Sequence, residues 1–122
     1  MKAQELRIGN WVEYDERYFQ IDTIAFEFPT LNTIEFGIGV VDYNNIKPIP
    51  LSEDVLLRCG AVLHGIEYII KASALPVKFR FHSKIAYCEM GNVYLGDRIK
   101  YLHELQNLIF ILCGKEVEVS WT

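Results

Sequence analysis

From Ala61 onward the chain divides into short strand-forming runs, Ala61 to Leu63, Ile66 to Ala72, Val77 to His82, Ile85 to Met90 and a last one from Val93, parted by turns at His64-Gly65, Ser83-Lys84 and Gly91-Asn92. Connections of that length join only antiparallel neighbours, because a parallel crossover needs about a dozen residues or more. An antiparallel meander is therefore expected. Residues 6–50 carry the same signature of short strands and turns. Trp11-Val12-Glu13-Tyr14, the polar turn Asp15-Glu16-Arg17 and the β-forming run from Tyr18 to Ile24 predict a hairpin. After a looser stretch from Glu27 to Asn32, broken by Pro29, the run from Thr33 to Val40 alternates. Ile34, Phe36, Ile38 and Val40 take one side and Glu35, Gly37 and Gly39 the other, which predicts a single strand. Asn44-Asn45 predicts a turn, and the prolines of Ile46-Lys47-Pro48-Ile49-Pro50 confine that piece to an edge or an exit.

Two helices interrupt the strands. Ser52 is placed to cap a first one, with Glu53 and Asp54 complementing its positive end, Leu51 and Leu56 at staple spacing and Gly60 to stop it. A second is predicted from Lys100 to Cys113, where Tyr101, Leu102, Leu105, Leu108, Ile109 and Leu112 recur at helical spacing. It is expected to bury Leu105, Leu108 and Leu112 and to end at Gly114. Beyond it Val117, Val119 and Trp121 alternate with Glu116, Glu118 and Ser120, which predicts a terminal strand. The fold class is α+β: a strand-rich lobe over residues 1–50 and an α+β lobe over residues 51–122, with the C-terminal helix and the terminal strand.

The chain has 122 residues, 51% of them apolar and 23% charged, which is enough to build a core and excludes an intrinsically disordered chain. Its longest apolar runs, such as Leu108 to Cys113, fall far short of a bilayer span, and charged residues come too early for a secretion signal. A cytoplasmic protein without membrane contact is expected. Cys59, Cys88 and Cys113 are an odd number without a C-x-x-C pair, and His64, His82 and His103 lack metal-site spacing. The thiols read as buried small hydrophobes, and neither a metal nor a cofactor is implied. The sequence has no G-x-S-x-G, phosphate loop, Rossmann fingerprint or H-E-x-x-H. Catalysis would need a pair assembled in space, Cys88 with His82 or Cys113 with His103.

Charge is unevenly spread. Residues 1–54 hold four Lys/Arg against ten Asp/Glu, whereas residues 71–100 hold six against two. Within the latter, Lys78, Arg80, His82 and Lys84 alternate with Val77, Phe79 and Phe81, so four cationic groups are expected along one sheet face. Such a stripe suits a phosphate backbone or an acidic partner, or is simply a solvated face. Phe79 and Phe81 point the other way and read as core rather than as base-stacking platforms.

The stretch Ile99-Lys100-Tyr101-Leu102-His103-Glu104-Leu105-Gln106-Asn107-Leu108, with Leu112, Gly114, Lys115 and Glu116, resembles the C-terminal signature of a family of small uncharacterised proteins of Bacteroidetes genomes and their phages or mobile elements. Glu5-Leu6-Arg7-Ile8-Gly9-Asn10-Trp11-Val12 and Ile46-Lys47-Pro48-Ile49-Pro50-Leu51 are similar to its other two landmarks. The resemblance implies an SH3-like N-terminal barrel joined to a small α+β lobe, and no activity. His103, Gln106 and Asn107 stand where the family has His-x-x-Gln-Asn. On a helix these three share one polar side, either as a recognition patch or as groups that hydrogen-bond backbone and fix the helix to the sheet. The expected function is a non-catalytic binding or interaction module of phage or mobile-element origin, with an unknown protein partner or a second copy of itself. A nucleic-acid-binding accessory role through the basic 71–100 strands ranks second, and an enzyme third.

Overall fold

The computed structural model describes residues 5–24, 29–33, 37–40, 43–71 and 76–121. Two antiparallel meanders follow one another along the chain. The first joins β1 (Trp11–Tyr14), β2 (Arg17–Ile24), β3 (Pro29–Thr33) and β4 (Gly37–Val40) in sequence order. The second joins β5 (Val62–His64), β6 (Glu67–Ile70), β7 (Val77–His82), β8 (Ile85–Met90) and β9 (Val93–Gly96), again in order. Helix α1 (Glu53–Arg58) lies between the sheets in the chain and α2 (Leu102–Cys113) follows the second. The protein is α+β, and among the described residues neither sheet closes into a barrel.

Tight turns set the hairpins. Asp15-Glu16 and Ser83-Lys84 all take left-handed backbone, with φ between 51° and 69°. That conformation matches a two-residue loop to the right-handed twist of its strands. β7 and β8 then pair without a break from Val77 opposite Met90 to His82 opposite Ile85.

One expected strand is instead part of a hairpin. Thr33 pairs with Gly37 and Asn32 with Ile38, so the chain reverses inside the alternating run, and Ile34, Glu35 and Phe36 lie outside the described residues. The stretch around Pro29, expected to be loose, supplies β3, with the proline at its first position, where a strand tolerates it. Period two persists on both arms of a hairpin, so it cannot mark the reversal.

Beyond a single 3-10 turn at Tyr43–Asn45, Lys47 and Glu13 exchange both backbone hydrogen bonds at 2.8 Å. This lays the exit segment against β1 and places Ile46 among Leu6, Val12 and Ile21 in a buried cluster. Ser52 Oγ then accepts the Val55 N–H at 3.1 Å and caps α1, while Leu51 and Leu56 are both buried.

The larger core forms where the inner face of the second sheet, Tyr68, Ile70, Val77, Phe79, Ala86 and Cys88, meets Val55 and Leu56 of α1 and Leu102, Leu105 and Ile109 of α2. Phe79 is fully buried, which contributes on the order of 2–3 kcal/mol. The buried stripe of α2 differs from expectation. Leu105 is fully buried, Leu108 is half-buried and Leu112 is exposed. Leu102, Gln106, Ile109 and Cys113 step by four, three and four residues along the centre of the buried face, and Leu112 sits at its margin in the last turn, where Phe110 and Ile111 are exposed too.

Residues 115–121 form no strand. Their alternation records packing instead: Val117 is buried, Val119 and Trp121 pack against the core, and Ser120 N–H donates to the Arg58 carbonyl at 2.9 Å. The segment meets the end of α1 rather than a sheet edge, so it has no ladder to join. The Trp121 ring lies 5.6 Å from that of Trp11, edge-on, and 4.4 Å from that of Tyr18.

Candidate functional site

The segment preceding β1 is joined to α2 by amide side chains. Gln106, fully buried, accepts the Trp11 N–H at Oε1 (2.8 Å) and donates from Nε2 to the Gly9 carbonyl (3.0 Å). Asn107 Oδ1 accepts from Asn10 Nδ2 (2.8 Å) and Arg7 Nε (3.1 Å), and its Nδ2 donates to the Glu5 carbonyl (3.1 Å). Asn10, also fully buried, accepts the Arg7 N–H at Oδ1 (2.6 Å). The Arg7 guanidinium forks onto Glu116, with Nη2 donating to Oε2 at 3.0 Å, and lies 4.2 Å from the centre of the Phe110 ring. Each amide supplies both a donor and an acceptor, which is what a stretch of unpaired backbone requires. Gln106 and Asn107 thus hold the helix in place. Arg7, Asn10 and Glu116 carry no spacing signal that ties them to α2, since their partners lie far away in the sequence.

His103, the third member of the helix row, is buried with only 3% exposed, and its Nδ1 has no hydrogen-bond partner among the described residues. Removal from water pushes its pKa down, against an opposing pull from the carboxylates of Glu104 and Glu5.

The basic row on β7 turns outward, but it is shorter and less basic than its spacing implies. Lys78, Arg80 and His82 occupy the face opposite Val77 and Phe79. The strand ends at His82, and Lys84 sits in the turn at φ 69°, so it leaves the row. Across the sheet Lys78 stands between Ile69 and Glu89, with Tyr94 beyond Glu89. Arg80 stands beside Tyr87, and the same register carried one residue past Tyr68 sets Glu67 on its other side. Both cations therefore have a carboxylate on a neighbouring strand. At the two edges of the sheet apolar side chains meet solvent, with Val62 on β5 66% exposed and Ile66 in the turn after it 76%, and Val93 53% and Tyr94 60% at the other edge.

The two thiol–imidazole pairs do not assemble. Cys88 lies opposite Phe79 on the inner face, whereas His82 is on the outer face of the same sheet. Cys113 and His103 are ten residues apart on α2, about 15 Å along its axis. Burial pushes the Cys59 thiol up to about 12, and burial with the nearby Glu89 carboxylate pushes Cys88 up to about 12, so neither supplies a thiolate near neutral pH. Among the described residues no group of three or more His, Cys, Asp and Glu side chains is gathered to hold a metal ion. No helix among them is long and apolar enough to cross a membrane. Comparison with family models, with curated proteins and with solved structures finds no match for this chain.

Proposed function

We propose that this protein is a non-catalytic interaction module whose first partner is a second copy of itself, joined through the edge of its five-stranded sheet. The observation that carries this reading is the β5 edge. From Cys59 to Ile66 the chain has no Lys, Arg, Asp, Glu or Pro, and Val62, Leu63 and Ile66 are all more than half exposed. A strand edge presents unpaired N–H and C=O groups, and edges that must stay monomeric are commonly guarded by charge or proline. Two β5 strands related by a two-fold axis would satisfy each other and extend the sheet across both copies.

The outer face supports a protein partner over a polyphosphate, because its cations alternate with Glu67 and Glu89 and with aromatic and aliphatic side chains. A nucleic-acid role through the 71–100 strands is the second reading, favoured by Arg80 and His82 standing exposed on one face. The phage or mobile-element origin rests on the sequence resemblance. So does an SH3-like N-terminal lobe, which the 3-10 turn at Tyr43–Asn45 and the Lys47–Glu13 pairing support as the exit of a small barrel.

Light scattering across concentration and salt tests the reading. The expected mass rises from 14.1 kDa toward twice that value and survives high salt, as apolar burial does and exposed charge pairing does not. Ile66→Lys combined with Val62→Lys is expected to return the monomer. A mass of 14.1 kDa at every concentration removes the proposal.

A further inference from the structure

Both helices pack on the inner face of the five-stranded sheet, so the large core lies on one side of it. The outer face meets solvent, and the strand register sets its side chains in rows. In one row Ile69, Lys78, Glu89 and Tyr94 stand side by side across β6 to β9. In the next, two residues along, stand Glu67, Arg80 and Tyr87.

A partner for this face must answer both signs of charge and the exposed rings, and a second copy of the same face can do so. When two sheets stack face to face about a two-fold axis that runs along the strands, each row meets its own row in the other copy. The position of the axis decides the pairs. On β7 it sets Lys78 against Lys78, and on β8 it sets Glu89 against Glu89, and both arrangements repel. Between β6 and β7 it pairs Arg80 with Glu67. That same position lays Lys78 on Ile69 and Glu89 on Val62, the β5 neighbour of Ile69, and leaves two covered charges without a partner. Between β7 and β8 the conflict disappears: Lys78 faces Glu89 twice over, Arg80 faces the Tyr87 ring and Ile69 faces Tyr94. Stacked sheets lie about 10 Å apart, a gap that a lysine and a glutamate reaching from opposite sides can close. The charged pairs sit next to the axis, where the twist of the sheets displaces them least.

We propose that two copies pair face to face through the outer surface of β6 to β9, about a two-fold axis along the strands between β7 and β8. Four strands by five residues measure about 19 Å by about 17 Å, a flat footprint on the order of 300 Å² per copy. A standard interface takes about 800 Å² of accessible surface from each partner, so this contact is weak and fills only in concentrated solution. It uses none of β5, and therefore adds a second contact to the edge pairing without depending on it.

The test uses the intact chain carrying Val62→Lys and Ile66→Lys, which blocks the β5 edge and separates the two contacts. Amide NMR shifts are followed on dilution from about 1 mM to about 20 μM, the range of a weak complex. Resonances of Lys78, Arg80, Tyr87 and Glu89 are expected to move together and to saturate toward the concentrated end. In this background Lys78→Glu alone and Glu89→Lys alone each set like charges across the axis, and each is expected to weaken pairing about tenfold or more. Mixed one to one, the two variants are expected to pair again, because each supplies the charge that the other has lost. Shifts that do not depend on concentration, or that fall outside β6 to β9, overturn the proposal. So does a mixture of the folded variants that associates no better than either alone. The dilution series decides even where a charge variant does not fold, and a failure of edge pairing in the wild-type protein leaves this result unchanged.

Discussion

The row His103, Gln106 and Asn107 on α2 and the row Lys78, Arg80 and His82 on β7 look alike in the sequence, yet the fold closes one and leaves the other open. Gln106 and Asn107 meet Gly9, Asn10 and Trp11, almost a hundred residues earlier in the chain, and their amides replace the hydrogen bonds that this backbone would otherwise make to water. Arg80 and His82 stay in solvent. Spacing identifies which residues share a face, but only tertiary structure decides whether that face is covered. Residue type carries part of the answer. Neutral amides are buried at little cost when both ends are bonded, whereas burying a cation requires a close counter-charge.

Breaking the covered row should have the largest effect. Gln106→Leu keeps the bulk but strands the Trp11 N–H, while the Gly9 carbonyl keeps the Gln20 Nε2 donor at 3.1 Å, so a loss of about 1–3 kcal/mol is expected in urea unfolding. A loss below about 0.5 kcal/mol, the range of ordinary surface changes, would show that the seam is not a closed joint.

The next effect is confined to one titrating group. Burial holds the His103 pKa below its ordinary 6.5, so as pH falls past about 6.5 the unfolded chain takes up a proton that the folded chain refuses. Stability should therefore decline on acidification until the folded-state pKa is passed and then stop changing on this account. Compared between pH 8 and pH 5, His103→Gln should lose that part of the slope. An unchanged slope would mean that the imidazole is as well solvated folded as unfolded.

The smallest effect belongs to the open row. Lys78→Gln and Arg80→Gln should each change stability by no more than about 0.5 kcal/mol, since exposed charge pairs are worth little. Larger losses would mean that these cations organise the sheet through the Glu89 and Glu67 carboxylates on the neighbouring strands. The same two variants sharpen the functional choice. Fluorescence anisotropy with oligonucleotides at low salt is expected to show no binding that depends on these two residues, and binding that they abolish would put the nucleic-acid reading first.

Where local chemistry decides, the sequence was legible. Val77 to His82 and Ile85 to Met90 were read to the residue, because two alternating runs around a two-residue gap admit one antiparallel register. Ser52 as the cap of α1 was equally plain. Misreadings arose where periodicity continues through a change that it does not encode. Thr33 to Val40 alternates on both sides of a reversal, and Val117 to Trp121 alternates against a helix end instead of a strand. Leu112 fits a helical count from Leu105 and Leu108, yet the core follows Leu102, Gln106, Ile109 and Cys113. The partners of Gln106 and Asn107 were hidden for a related reason. Gly9, Asn10 and Trp11 reach them from far up the chain, and no spacing rule joins them.

The edge-on contact of Trp11 and Trp121 brings together the only two indoles in the chain. Light absorbed near 295 nm, where the seven tyrosines contribute little, is therefore taken up largely at one spot, where the first strand meets the final residues of this sequence. Tryptophan emission and near-ultraviolet ellipticity accordingly report whether that closing segment is seated, while far-ultraviolet ellipticity reports the sheets and helices. Superimposing the two melting curves separates undocking of the last segment from collapse of the whole, without adding a label.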